Sequence, residues 1–202
     1  MPIVHIVGSH TYAPNQKDAT GLRQLDRFDT AVDHAFAPLR GRIMYDRLFY
    51  ILSALADHSL LWELMAATLA ISPRRRPLAM RAAAALAAES VVINVIVKSL
   101  FSRERPIDQS YEHPHHLRYP LTSSFPSGHA TAAFAAATLL SDRTWLRWLL
   151  YPLATLVALS RIHVRIHHAS DVLGGAIIGL CFAKLIKYLL PVSSSPSTDG
   201  AS

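Results

Sequence analysis

A single cysteine, Cys181, stands among 202 residues, so no intrachain disulfide can staple the fold. It sits in the apolar run Gly179-Leu180-Cys181-Phe182-Ala183, where a small buried hydrophobe is expected. A thiol phosphatase would need an arginine to close a phosphate loop shortly after the cysteine; Lys184 and Lys187 follow instead, which excludes it. Charge is also scarce. Charged residues make up 17% of the chain against 51% hydrophobic, and the mean hydropathy of +0.23 is high for a soluble domain yet modest for a membrane protein. Residues 1–21 lack the basic start and apolar core of a signal peptide and read as a flexible polar N-terminus. No internal repeat is present. The formal charge of +6 and pI near 9.8 suit a nucleic acid, a membrane surface or a phosphorylated substrate. With no basic strand interleaved with aromatics and no recognition helix, nucleic acid is the weakest of those partners.

What is there is helical patterning. Leu22, Leu25, Phe28, Val32 and Phe36 recur at helical spacing among charged residues, predicting an amphipathic helix that lies on a membrane interface or on the rest of the fold and ends at Pro38 and Gly41. A second amphipathic stretch runs from Met44 through Phe49 and Ile51 to Leu55. Apolar segments then cover Leu60–Ile71, Met80–Phe101, Ala130–Leu140, Trp145–Ser160 and Val172–Leu190. Each falls short of a clean run of about 20 apolar residues, but the later four approach it when extended by a turn. Trp145, Trp148, Tyr151 and Tyr188, near segment ends, suit an interfacial belt. The expected fold is therefore all-α: a multi-pass helical bundle over 22–191 with about five membrane-spanning helices plus N-terminal amphipathic helices, followed by a disordered polar tail over 192–202. Buried core helices of a soluble bundle are the competing reading. Arg74, Arg75, Arg76 and Arg81 cluster in one short loop, which the positive-inside rule makes cytoplasmic. Counting outward, the Lys98–Ser127 and Arg161–His168 connections then share the extracytoplasmic face.

Those two connections carry the chemistry-bearing residues. In Ser160-Arg161-Ile162-His163-Val164-Arg165-Ile166-His167-His168-Ala169-Ser170-Asp171, His167 and Asp171 are four apart, so a helix opening there lets the carboxylate face the imidazole. Such a pair holds Nδ1–H and leaves Nε2 as a more basic lone pair. Arg161 and Arg165 offer cationic forks suited to a tetrahedral oxyanion. Upstream, Lys98 and Arg105 are seven apart, about two helical turns, and Pro106 biases Arg105 out of a helix into the mouth of a loop. Pro126-Ser127-Gly128-His129 precedes an alanine-rich helix. Ser127 can cap it, Gly128 permits close backbone approach to a ligand, and the free N–H groups of the helix start bind anions. Each cluster also has a plain reading: a solvated basic loop, a snorkelling cuff at a helix end, a simple N-cap.

Lysine, six residues, then Arg-Pro; Pro-Ser-Gly-His; and Ser-Arg, five residues, His, three residues, Asp: between Lys98 and Asp171 the chain resembles the three signature motifs of the type 2 phosphatidic acid phosphatase superfamily. That superfamily also holds the vanadium haloperoxidases and bacterial acid phosphatases. The resemblance implies that His167 attacks phosphorus to form a phosphohistidine, with Asp171 orienting it. It implies that His129 protonates the leaving oxygen and later deprotonates the resolving water. Lys98, Arg105 and Arg161, with Ser127 and the Gly128 amide, would hold the phosphoryl oxygens. Neither a metal nor another cofactor is expected, because fixed cations supply the charge stabilisation.

The implied activity is hydrolysis of a lipid phosphate or diphosphate (a polyprenyl phosphate or diphosphate, phosphatidic acid or phosphatidylglycerol phosphate). Its tail would stay in the bilayer of the cell membrane while the headgroup meets an extracytoplasmic site. A vanadate-dependent haloperoxidase and a non-catalytic membrane scaffold are the alternatives. His163 and His168 fall outside the motif pattern. His113-Pro114-His115-His116 reads as a loop over the site or a metal tract. Glu89 and Asn94 are expected to make hydrogen bonds between helices.

Overall fold

A computed structural model describes residues 16–106, 122–141 and 145–192. The described residues form helices and turns: α1 (Gln16–Phe36), α2 (Ile43–Leu55), α3 (Leu60–Ala70), α4 (Arg76–Val91), α5 (Gly128–Ser141), α6 (Arg147–His163) and α7 (Ala169–Leu189). Helix α4 continues through a π-helical stretch, Val92–Val97, and a 3₁₀ turn, Lys98–Leu100. The wide turn falls just before Lys98, and such insertions re-aim the side chains that follow them.

The middle of the bundle is α5. Ala130, Ala132, Ala133, Ala135, Ala136 and Ala137 are all buried, with α4, α6 and α7 packed around them. Alanine keeps those neighbours close, and α7 answers with glycine. A Cβ at Gly175 would fall within 2.5 Å of the Ser127 carbonyl oxygen, and one at Gly179 would run into the Thr131 carbonyl. The two backbones therefore meet through small residues, the packing mode of membrane helices. Trp62, Leu86, Leu139, Leu140 and Leu150 fill the rest of the core.

Helix α1 begins at Gln16, ahead of the boundary expected at Gly21. It ends in the 3₁₀ turn Ala37–Leu39, and Gly41 takes a positive φ of 79° that lets the chain reverse into α2. The apolar residues of the amphipathic α2 divide: Met44, Ile51 and Leu55 are more than half exposed while Phe49 is buried. Cys181 is likewise exposed, which corrects its reading as a buried hydrophobe. In both places hydropathy marks an apolar residue without saying whether it faces core or surroundings. Asn94 corrects another expectation. Its amide donates to the Ser90 carbonyl and its Oδ1 accepts from Lys98 Nζ at 2.9 Å, so it serves its own helix rather than a neighbour. Glu89 is buried within electrostatic reach of Lys98, and its Oε1 has no hydrogen-bond partner among the described residues.

Among the described residues, two helices are long and apolar enough to cross a membrane: Arg76–Leu100, at 25 residues, and α7, at 21. Helices α2 and α3 meet that test jointly but are bent by 65° at their junction. Helices α5 and α6, at 14 and 17 residues, rise only about 21 and 26 Å. Trp145, Trp148 and Tyr188 are strongly exposed as a belt requires, whereas the Tyr151 hydroxyl turns in to Thr138 at 3.0 Å.

Candidate active site

The start of α5, the end of α4 and the turn between α6 and α7 meet at one end of the bundle. Ser127 is fully buried and caps α5 through a 3.5 Å contact from the Ala130 N–H to its Oγ. Its own N–H donates to the Asp171 carbonyl at 3.1 Å, tying the α5 start to the first turn of α7. Lys98 Nζ lies 3.6 Å from where a Cβ on Gly128 would stand, so the ammonium sits against the opening of α5. His129 follows in the first turn, with Nε2 3.8 Å from Asp57 Oδ1 and an imidazole contact to the Ser53 backbone.

Arg105 reaches the same place by another route. The helix stops at Leu100 and residues 101–106 run extended, so the two-turn spacing between Lys98 and Arg105 is not what aligns them. Pro106 keeps Arg105 out of a helix, as expected. Its guanidinium then donates to the carbonyls of Thr122, Ser123 and Ile166, each at 3.1 Å. One nitrogen of that fork, Nη1, stands 3.3 Å from His167 Nε2.

Arg161 is buried at the end of α6 and donates to Ser53 Oγ of α2. The chain then turns through Arg165, whose left-handed backbone (φ 54°) is uncommon for a side chain of that size. Arg165 pairs with Asp33 of α1 at 3.4 Å, so the second cationic fork expected from this turn points away from the imidazole. His167 is 3% exposed. Its Nδ1 faces Asp171 Oδ2 at 3.7 Å, just beyond hydrogen-bond distance, and the carboxylate itself is fully buried. Asp171 Oδ2 also accepts from the His168 N–H at 2.9 Å.

The electrostatics follow from burial among cations. Lys98, Arg161 and His167 all lie within electrostatic reach of His129, and Lys98 in turn feels Arg105 and Arg161. Burial pushes the His167 imidazole down to about 3; Asp171 pulls it upward, while Arg161 and Arg105 press it further down. Burial also lowers the Arg105 guanidinium, with Asp171 opposing. The result is a neutral imidazole with Nε2 directed at a focus of positive charge, an arrangement for an anion that presents an electrophilic centre. Among the described residues no group of three or more His, Cys, Asp or Glu suits a metal ion.

All eight expected site residues thus gather at this end: His129, His167, Asp171, Lys98, Arg105, Ser127, Gly128 and Arg161. His163 does not join them, since its Nε2 is 2.8 Å from Asp46 Oδ1 in the interior. The histidine tract 113–116 lies outside the described residues. Sequence reasoning passed over Arg103, which bonds Asp171 Oδ1 at 2.5 Å, and Asp29, which bonds Arg103 at 2.6 Å. Ser53 and Asp57 were missed as well, since no local motif marks residues whose partners lie on other helices, and Asn94 was missed as the partner of Lys98 on its own helix. The apolar groove along the start of α6, lined by Arg147, Trp148 and Tyr151, lies at the opposite end of that helix from Arg161.

The sequence model of the PAP2 superfamily matches residues 78–194, more than half of the chain, a stretch that holds all eight of the expected site residues. The chain belongs to the PAP2 superfamily. It is a phosphatase, as its curated relatives are. A decaprenylphosphoryl-5-phosphoribose phosphatase of Mycobacterium tuberculosis is 34% identical over 140 residues, covering 67% of this chain and 75% of that protein. Among solved structures, Aquifex aeolicus LpxE superposes with a TM-score of 0.64 at 25% identity, over 79% of this chain and 94% of that one. A transmembrane PAP2-type phosphatidylglycerolphosphate phosphatase from Bacillus subtilis gives a TM-score of 0.64 at 21% identity, covering 82% and 86%. This PAP2 phosphatase therefore shares the helical architecture of membrane-embedded proteins.

Proposed function

We propose that this PAP2 protein releases inorganic phosphate from a lipid phosphate or diphosphate, a polyprenyl phosphate being the first candidate, through a phosphohistidine at His167. The observation that carries the reading is the His167 environment: Nδ1 toward a buried Asp171, Nε2 3.3 Å from an arginine fork, and His129 on an anion-binding helix start within electrostatic reach. Membrane-type packing and apolar outer faces suit a substrate whose tail stays in the bilayer.

In the first step the Nε2 lone pair attacks phosphorus while the bond to the leaving oxygen breaks, and His129, protonated once the negative charge of the bound phosphate offsets the surrounding cations, gives that oxygen a proton. Lys98, Arg105 and Arg161, with Ser127 and the amides opening α5, hold the non-bridging oxygens as charge moves onto them. His129, now neutral, takes a proton from water. The resulting hydroxide attacks phosphorus, the P–N bond breaks, phosphate departs and neutral His167 is restored. Fixed cations do the electrostatic work that a divalent ion would do elsewhere, so turnover is expected without added metal.

The placement rests on charge and length. The arginines of 74–76 favour a cytoplasmic α3–α4 turn, which puts the site on the extracytoplasmic face of the cell membrane. A bundle domain over 22–191 with five crossings requires α5 and α6 to span with their flanking residues. Phosphate release from a panel of polyprenyl phosphates and diphosphates, phosphatidic acid and phosphatidylglycerol phosphate, in detergent and chelator, tests the reading. Selective turnover, inhibition by vanadate and an acid-labile phosphoprotein trapped by rapid quenching are expected. No turnover of any lipid phosphate, or undiminished turnover in His167→Ala, would overturn it.

A further inference from the structure

Helix α1 is attached in an unusual way. Among its residues whose side chains are described, Asp29 is the buried one, at 7% exposure, while Leu22, Leu25 and Phe28 are 58, 46 and 44% exposed. A helix docked by its apolar stripe would show the reverse. A carboxylate taken out of water is costly unless it is bonded, and Asp29 is fully bonded. Its Oδ1 accepts from the Ser170 N–H at 2.7 Å; its Oδ2 accepts from Ser170 Oγ at 2.7 Å and from Arg103 Nη2 at 2.6 Å. Through its other nitrogen, Nη1, Arg103 donates to Ser170 Oγ at 2.7 Å and to Asp171 Oδ1 at 2.5 Å. The Arg103 main chain is itself held, accepting from the Ser124 N–H at 2.9 Å and donating to Ser123 Oγ at 3.2 Å.

We propose that Asp29 and Arg103 are positioning residues of the reaction: α1 locks a guanidinium onto Asp171, which fixes the carboxylate plane and with it the His167 imidazole. The inference rests on His167 being the nucleophile. With Oδ1 held by Arg103 and Oδ2 by the His168 N–H, Asp171 cannot rotate away from Nδ1. Arg103 also tempers the carboxylate. His167 faces the cations Arg105 and Arg161 and the His129 ring on one side, and Asp171 on the other, with Arg103 directly behind it. Part of the negative charge that would make the imidazole basic is thereby neutralised, and His167 stays unprotonated and able to attack.

The test uses the full chain in detergent with short-chain phosphatidic acid as probe substrate, following kcat, KM and the pH profile of kcat/KM. Asp29→Asn should lower kcat by about 10–100-fold, the range for losing a partner that orients a site ligand, with KM little changed; Asp29→Glu should recover much of the loss. In Arg103→Gln the carboxylate acts on His167 unopposed, raising its pKa, so the acid limb of the profile should move to higher pH. A helix that merely props up the fold would not move that limb. Should Asp29→Asn fail to fold, Arg103→Lys, which keeps the charge but loses the fork, is expected to lower kcat and leave the limb in place. Wild-type kcat and an unmoved limb in folded Asp29→Asn and Arg103→Gln would overturn the proposal. A folded His167→Ala that still turned over substrate would overturn instead the nucleophile assignment beneath it.

Discussion

His163 and His167 lie four residues apart on one turn, both are buried and both have a carboxylate beside them, yet their surroundings use opposite ring nitrogens. On the α2 side, Asp46 takes His163 Nε2 at 2.8 Å and Phe49 covers the ring, with centroids 4.5 Å apart. Arg40 seals the backbone above by donating to the carbonyls of Ile162 and His163. The other nitrogen of that imidazole, Nδ1, is buried without a hydrogen-bond partner among the described residues, away from the cations of the site. On the α7 side, Asp171 stands at Nδ1, and Nε2 is turned toward Arg105. A histidine–carboxylate pair is therefore a staple or a reagent according to which nitrogen the carboxylate approaches and what faces the other.

Removing the proposed nucleophile has the largest expected effect. His167→Ala is expected to lower kcat by roughly 10⁴-fold or more, the scale on which losing a nucleophile acts, and His129→Ala by roughly 10²–10⁴-fold, the share of a general acid–base. Phosphate release from folded protein checks both. Lys98→Ala should cost roughly 10²–10³-fold in kcat/KM, as losing one preorganised donor does, and binding of vanadate should weaken in parallel. His163→Ala sharpens the contrast: kcat is expected to stay within a few-fold, while stability falls by about 1–3 kcal/mol because Asp46 is left buried and unpaired. Thermal unfolding in detergent reads that loss.

The last effect is on pH. His167 titrates in the fold near 3 and near 6.5 when unfolded, so the unfolded chain binds the extra proton as acid is added. Stability tied to this group is complete above about pH 6.5 and is lost as pH falls toward about 3. The melting temperature should drop over that window, and less steeply in His167→Gln.

Much of this site was legible in the sequence because its chemistry is local. Ser127 and His129 are adjacent to one helix start, and His167 and Asp171 share one turn. Arg105 was also legible, although by an argument from helical periodicity that the extended chain at 101–106 does not obey; Pro106 was the better guide. Residues whose partners lie far away were not legible. Asp29 sits among charged residues of an amphipathic helix and meets Arg103 only once the chain has folded, and Asp46 is no different in sequence from a solvated carboxylate. The outward-facing apolar residues of α2 and the exposed Cys181 have another cause. Where apolar faces look outward as well as inward, periodicity finds the helix but not its orientation.

The contact of Gly175 and Gly179 with the carbonyls of Ser127 and Thr131 bears on how a substrate is admitted. Two helices that touch backbone to backbone can neither slide nor separate without opening a void, so the His129-bearing end of one and the His167-bearing end of the other are gauged to a fixed width. Any breathing that lets a long-tailed molecule in or out falls to the walls hung around this frame: the bent α2–α3 pair and the polar latch of α1.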